Sequence, residues 1–232
     1  MIRDPPRCST VRSEEPLLDP LPLLGLGLLL GLRHAADPDH VVAVTAIAAR
    51  TRRVAPATLL GMVWGLGHTL TLFGVGAGII LFNWAIPPRI GLAMEFCVAL
   101  ALIVVGLLNL SRQGPRAPDS NGPPARRAFV VGLVHGLAGS AAVALLVLAT
   151  VRDPLWACGY LFVFGLGTLV GMACVTASFA APVAAAAHRW RGARQVIRFS
   201  TGTLSVALGA WLAYRIGWHD GLFLAVPHWI PR

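Results

Sequence analysis

Seven residues, His34-Ala35-Ala36-Asp37-Pro38-Asp39-His40, place two imidazoles and two carboxylates together between apolar stretches. Ionisable groups are costly in hydrocarbon and mark a pathway or a bound ion. Imidazole among mixed nitrogen and oxygen donors suits nickel, copper, zinc or iron; magnesium and calcium prefer all-oxygen cages, and Cu(I) is disfavoured without sulfur. Pro38 removes a backbone donor and drives Asp37 out of helical geometry, so a helix arriving here should break and restart. In an unbroken helix His34 and His40 would lie roughly 120° apart around the axis. A break lets them converge. The bland reading makes Asp37 an N-cap and Pro38 the first residue of the next helix. It explains those two residues and leaves Asp39 and both histidines without a role.

Two further histidines can join this set. His68 follows Gly65-Leu66-Gly67 and precedes Thr69, and the glycines allow another helix to approach closely. A lone histidine on an apolar helix is usually a core residue, but here a ligand cluster exists for it to complete. His135 stands in Gly132-Leu133-Val134-His135, which matches Gly31-Leu32-Arg33-His34. Ala138 and Ser140 then stand where Asp37 and Asp39 do, so the site is expected to be single and asymmetric. The expected metal set is His34, Asp37, Asp39, His40, His68 and His135, supported by Arg33, Thr69 and Ser140. Arg33 can pair with Asp37, one helical turn on, or snorkel to the headgroups. Glu95 and Asn109 read as interfacial or helix-packing residues, and His188, His219 and His228 as surface residues.

The elements that hold these residues belong to a membrane. Of 232 residues, 56% are hydrophobic and 12% charged, against about 25% charged in soluble domains. Mean hydropathy is +0.71. All basic residues are arginines, and they cluster between apolar spans. The net charge of +9 is therefore topogenic, and no nucleic-acid-binding motif accompanies it. Cys8, Cys97, Cys158 and Cys174 form no CxxC pair and read as small apolar residues.

Six transmembrane helices are expected, in an all-α architecture. A loose leader (1–16), without the pattern of a signal peptide, precedes a first three-helix repeat (17–110). A Pro/Gly/Arg-rich linker (111–127) leads to a second three-helix repeat (128–218) and a short tail (219–232). The first span, 17–50, is too long for one straight crossing, and the motif breaks it. The others are expected near 55–82, 90–110, 128–151, 155–186 and 196–218. The halves match at three landmarks in one order: the Gly-Leu-x-His pair, Gly65-Leu66-Gly67-His68 with Gly165-Leu166-Gly167-Thr168, and Phe96 and Gly106 with Phe199 and Gly209. Three spans per copy invert the second copy, as in many secondary transporters. Arginine placement puts the linker on the cytoplasmic side and both termini outside. Trp84, Trp156, Trp190, Trp218 and Trp229 fall near span ends, as interfacial anchors should; Trp64 and Trp211 lie deeper.

The motif HAADPDH resembles the HX4DH signature of the nickel/cobalt transporter family, and Gly67-His68-Thr69 resembles that family's second histidine motif. The run from Gly132 to Ala141 is similar to compact six-span relatives associated with urease-accessory nickel uptake. The resemblance covers about residues 21–142. It implies permeation of Ni2+ or Co2+ across the bacterial inner membrane, with His34, Asp39 and His40, and less firmly Asp37 and His68, as essential residues. The chain departs from larger members in having six spans rather than eight, and it lacks the His-rich loop of some exporters, which favours uptake. The expected protein is a permease and not an enzyme, with no prosthetic group. Its partners are the lipid bilayer and the transported ion; no nucleic acid is expected, and a homo-oligomer stays open. The rival readings are an intramembrane metalloenzyme using a metal-activated water, a haem protein clamped by His68 and His135, and a carrier of another solute on the same scaffold.

Overall fold

The computed structural model describes residues 20–49, 51, 53–82, 86–111, 123–137, 151, 153–189 and 192–229. The leader, residues 112–122 of the linker and Ser140 lie outside them. The described residues form seven α-helices and no strand: α1 (Pro20–His34), α2 (Pro38–Ala48), α3 (Val54–Phe82), α4 (Pro88–Leu110), α5 (Pro123–His135), α6 (Pro154–Arg189) and α7 (Ala193–Tyr214). A π-helical turn, Arg215–His219, continues α7. Five of the seven helices open on a proline. That residue lacks the N–H that a helix start leaves unpaired, and its φ is already helical. Residues 123–127, read as the end of the linker, form the first turns of α5.

Pro38 acts in this way inside the first apolar stretch. It cannot donate to a helix arriving from Leu21, so α1 ends at His34 with tightened turns from Ala36 N–H to the Arg33 carbonyl (2.9 Å) and Asp37 N–H to the His34 carbonyl (3.1 Å). The chain re-enters a helix as Val41 N–H bonds the Asp37 carbonyl at 3.0 Å. The split first helix expected from the motif is thus present.

Among the described residues, four stretches are long and apolar enough to cross a membrane: Val54–Phe82, Pro88–Leu110, Pro154–Ala186 and Gln195–His219. Their outward faces carry large apolar side chains such as Leu66, Val104, Phe162 and Phe199, all exposed, as a bilayer-facing surface requires. This is a membrane protein. Cys97 and Cys174 also face outward rather than being buried.

Helix α6 packs along α1 and α3, α5 along α3, and α4 along α7, while α2 lies against α6 and α7. Glycines set the closest approaches. A Cβ on Gly31 would strike the Phe164 carbonyl, and one on Gly167 the Leu28 carbonyl, which locks α1 to α6. At the matching positions Gly132 faces the Trp64 carbonyl and Gly67 the Phe129 carbonyl, which locks α5 to α3. Between α4 and α7, Gly106 meets Gly202 and Val206, and Gly209 meets Ala99 and Ile103. The tail folds back on α4. Its Trp229 indole N–H donates to Glu95 (2.9 Å), and Arg89 donates to the carbonyls of Leu224 and Ala225.

Candidate metal centre

Four histidines meet where α1 stops, α2 starts and α5 ends against the middle of α3. His34, His40, His68 and His135 are each 5% exposed or less. The His40 ring centroid lies 4.6 Å from that of His34, 4.9 Å from His68 and 4.8 Å from His135. The turn at 35–37 makes this possible, because it puts His34 and His40 on converging rather than divergent faces. As described, α1 and α5 both end on their histidine, so each turns its carbonyl end, the negative end of the helix dipole, toward the cluster. The start of α2 turns one positive end to the same place, and two negative ends against one favour a cation.

The hydrogen bonds leave particular atoms free for coordination. His40 Nδ1 donates to the His34 carbonyl at 2.8 Å. Its Nε2 has no hydrogen-bond partner among the described residues. His34 Nδ1 meets Asp37 Oδ2 at 2.9 Å, the carboxylate–imidazole pairing that orients a metal-binding histidine and leaves Nε2 to the metal. His34 Nε2 and His68 Nε2 are 3.1 Å apart. Two nitrogens each about 2.1 Å from one ion are roughly 3.0–3.4 Å apart, so this spacing is that of a chelating pair. His135 Nε2 and Asp39 Oδ2 are 3.0 Å apart, with His40 Nε2 3.8 Å from the same oxygen. Two groups of donors result, His34/His40/His68 and Asp39/His40/His135, each with its atoms within 4.8 Å of one another.

Of the residues expected at the site, five supply these donors. Asp37 belongs to neither group; it faces His34 and orients that ring. Arg33 is exposed, and among the described residues the ion-pair partner of Asp37 is His34. Thr69 donates to the Gly165 carbonyl at 3.2 Å and so serves helix packing. Ser140 lies outside the described residues. Asn109 bonds Thr201 at 3.0 Å across α4 and α7, as a helix-packing residue should.

Two aromatic residues at the site went unassigned in the sequence. Trp64 is fully buried, 5.5 Å from the His40 ring and 5.2 Å from the His135 ring. Phe164 takes the equivalent place beside His34, at 5.5 Å. The signal for Trp64 was its depth, which no interfacial anchor explains; Phe164 carried none. Trp211, the other deep tryptophan, faces outward beneath the Arg215 guanidinium, 5.3 Å from it.

Among known proteins, the chain is 33% identical over 221 residues to the urease accessory protein UreH of Bacillus sp. (strain TB-90), covering 89% of this chain and 96% of the relative. That relative bears the name of an accessory protein, not of an enzyme. No family model matches the chain. No solved structure matches it either.

Proposed function

This chain belongs to the family of the urease accessory protein UreH, and on that footing we propose that it carries Ni2+ or Co2+ across the bacterial inner membrane into the cell. One observation carries the reading: a proline-split helix brings His34, Asp39 and His40 together with His68 and His135 in a buried cluster of nitrogen and oxygen donors. Such a set strips part of the hydration shell of a borderline transition-metal ion and replaces it. Asp37 holds the His34 ring for that task.

The two halves, 17–110 and 128–218, are read as inverted repeats, with 111–127 cytoplasmic. The paired glycine contacts of α1 with α6 and of α5 with α3 support this, since each uses aligned positions of the two halves. Rocking of one repeat against the other then opens the centre to either side in turn. The inside-negative potential favours entry by about 2.3 kcal/mol per charge per 100 mV, and a dication gains roughly twice that. The test is radioactive nickel uptake by cells expressing wild type or His40→Ala. The proposal expects uptake to fall to background in the variant; unchanged uptake refutes it.

A further inference from the structure

Five donors do not form one shell around one point; they form two groups that share only His40. We propose that these are two stations for a single divalent cation, which passes between them while His40 Nε2 stays bound. The proposal rests on the transport reading and adds how the ion is released. One station is His34, His68 and His40, three imidazoles. The other is Asp39, His135 and His40, two imidazoles and a carboxylate.

Three observations support the division. First, His40 Nδ1 is committed to the His34 carbonyl at 2.8 Å, and its buried Nε2 has no hydrogen-bond partner among the described residues. It is the one donor both groups include. Second, each remaining pair closes on itself, His34 with His68 at 3.1 Å and Asp39 with His135 at 3.0 Å. The pair that the ion leaves is therefore not abandoned as buried, unpaired polar atoms, which would be costly. Third, the pairs hang on different helices: His34 and His68 on α1 and α3, Asp39 and His135 on α2 and α5.

The exchange involves no redox change. The bonds from the metal to His34 Nε2 and His68 Nε2 break as bonds to Asp39 Oδ2 and His135 Nε2 form. The proton that His135 Nε2 shared with Asp39 passes to His135 Nδ1, and His68 returns its proton from Nδ1 to Nε2 to close on His34. The imidazoles change tautomer and the number of protons does not change. The carboxylate supplies the negative charge that the imidazole station lacks. An ion in one deep site would be held; two weaker sites with a common ligand let it move on without ever being bare.

The experiment uses the purified full-length protein in detergent, with Co2+ as the probe, and compares wild type, His68→Ala, His135→Ala and His40→Ala. His68→Gln and His135→Gln, which keep more of the side-chain volume, replace any alanine variant that does not purify as a folded protein. Equilibrium binding, the visible spectrum of bound Co2+ and uptake into vesicles are measured. Each single-station variant is expected to keep one bound Co2+ with affinity lowered about 10–100-fold, the scale of losing part of a metal environment. The two spectra should differ, because only the His68 variant keeps the carboxylate station, and both variants should lose uptake. His40→Ala should bind none. Identical spectra, or loss of all binding in both single-station variants, would establish one site and overturn the stations. Wild type that neither binds nor carries Co2+ or Ni2+ would overturn the transport reading itself, and the stations with it.

Discussion

Helix α1 against α6 and helix α5 against α3 make the same contacts with different chemistry. Gly31 and Gly132 each press on a carbonyl of the neighbouring helix, and Gly167 and Gly67 return the contact. Each helix ends on a histidine beside a buried aromatic ring, His34 beside Phe164 and His135 beside Trp64. Then the likeness stops. Where α3 carries His68, α6 carries Thr168, fully buried, its hydroxyl turned back to the Phe164 carbonyl at 3.0 Å. A threonine hydroxyl donating to its own helix keeps only neutral oxygen lone pairs, a poorer ligand than imidazole for a borderline transition-metal ion. The backbone contacts needed to pack the halves are kept in both, while α3 offers His68 to the cluster where α6 offers Thr168. Packing is symmetric here and chemistry is not.

That contrast can be broken in order of effect. His40→Ala removes the ligand common to both donor groups, and nickel affinity measured by equilibrium dialysis should fall by more than about 100-fold, beyond the loss typical of an orienting partner. Asp37→Asn keeps the shape of the side chain but weakens the grip on His34 Nδ1; its affinity should fall about 10–100-fold with helical content unchanged. An Asp37→Asn protein as tight as wild type would show that the carboxylate does not orient the ring. Gly31→Ala and Gly132→Ala probe the symmetric part. Each places a methyl against a carbonyl, so each should destabilise by about 1–3 kcal/mol, read as a lower thermal midpoint in detergent, and by similar amounts. A large loss from one and none from the other would separate the two contacts. Arg33→Gln should change uptake less than about twofold, because the side chain is exposed and lies outside both donor groups.

Much of the site could be read from the chain because proline and histidine are rare in apolar spans and their effects are local. Pro38 alone dictates the break, and the break dictates that His34 and His40 converge. Helix starts were legible for the same reason, although Pro123 began α5 inside a segment whose arginines and glycines suggested a linker. The role of Asp37 was not legible, since a carboxylate three residues from a histidine can coordinate or orient. Only the 2.9 Å contact to Nδ1 decides between them. Arg33 was equally ambiguous, since an arginine one turn before a carboxylate can pair with it or reach away from it. Phe164 gave no warning, because an aromatic residue on an apolar helix has the same composition whether it touches lipid or an imidazole. The division of the donors into two groups depends on distances between four helices, which no spacing within one helix can reveal.

The most direct measurement is X-ray absorption at the nickel edge of the metal-loaded, purified protein, wild type against His40→Ala. A split helix that gathers imidazoles around the ion predicts imidazole scattering together with oxygen in wild type, and loss of the bound metal in the variant. An all-oxygen shell in wild type, or an identical imidazole signal in the variant, would contradict it.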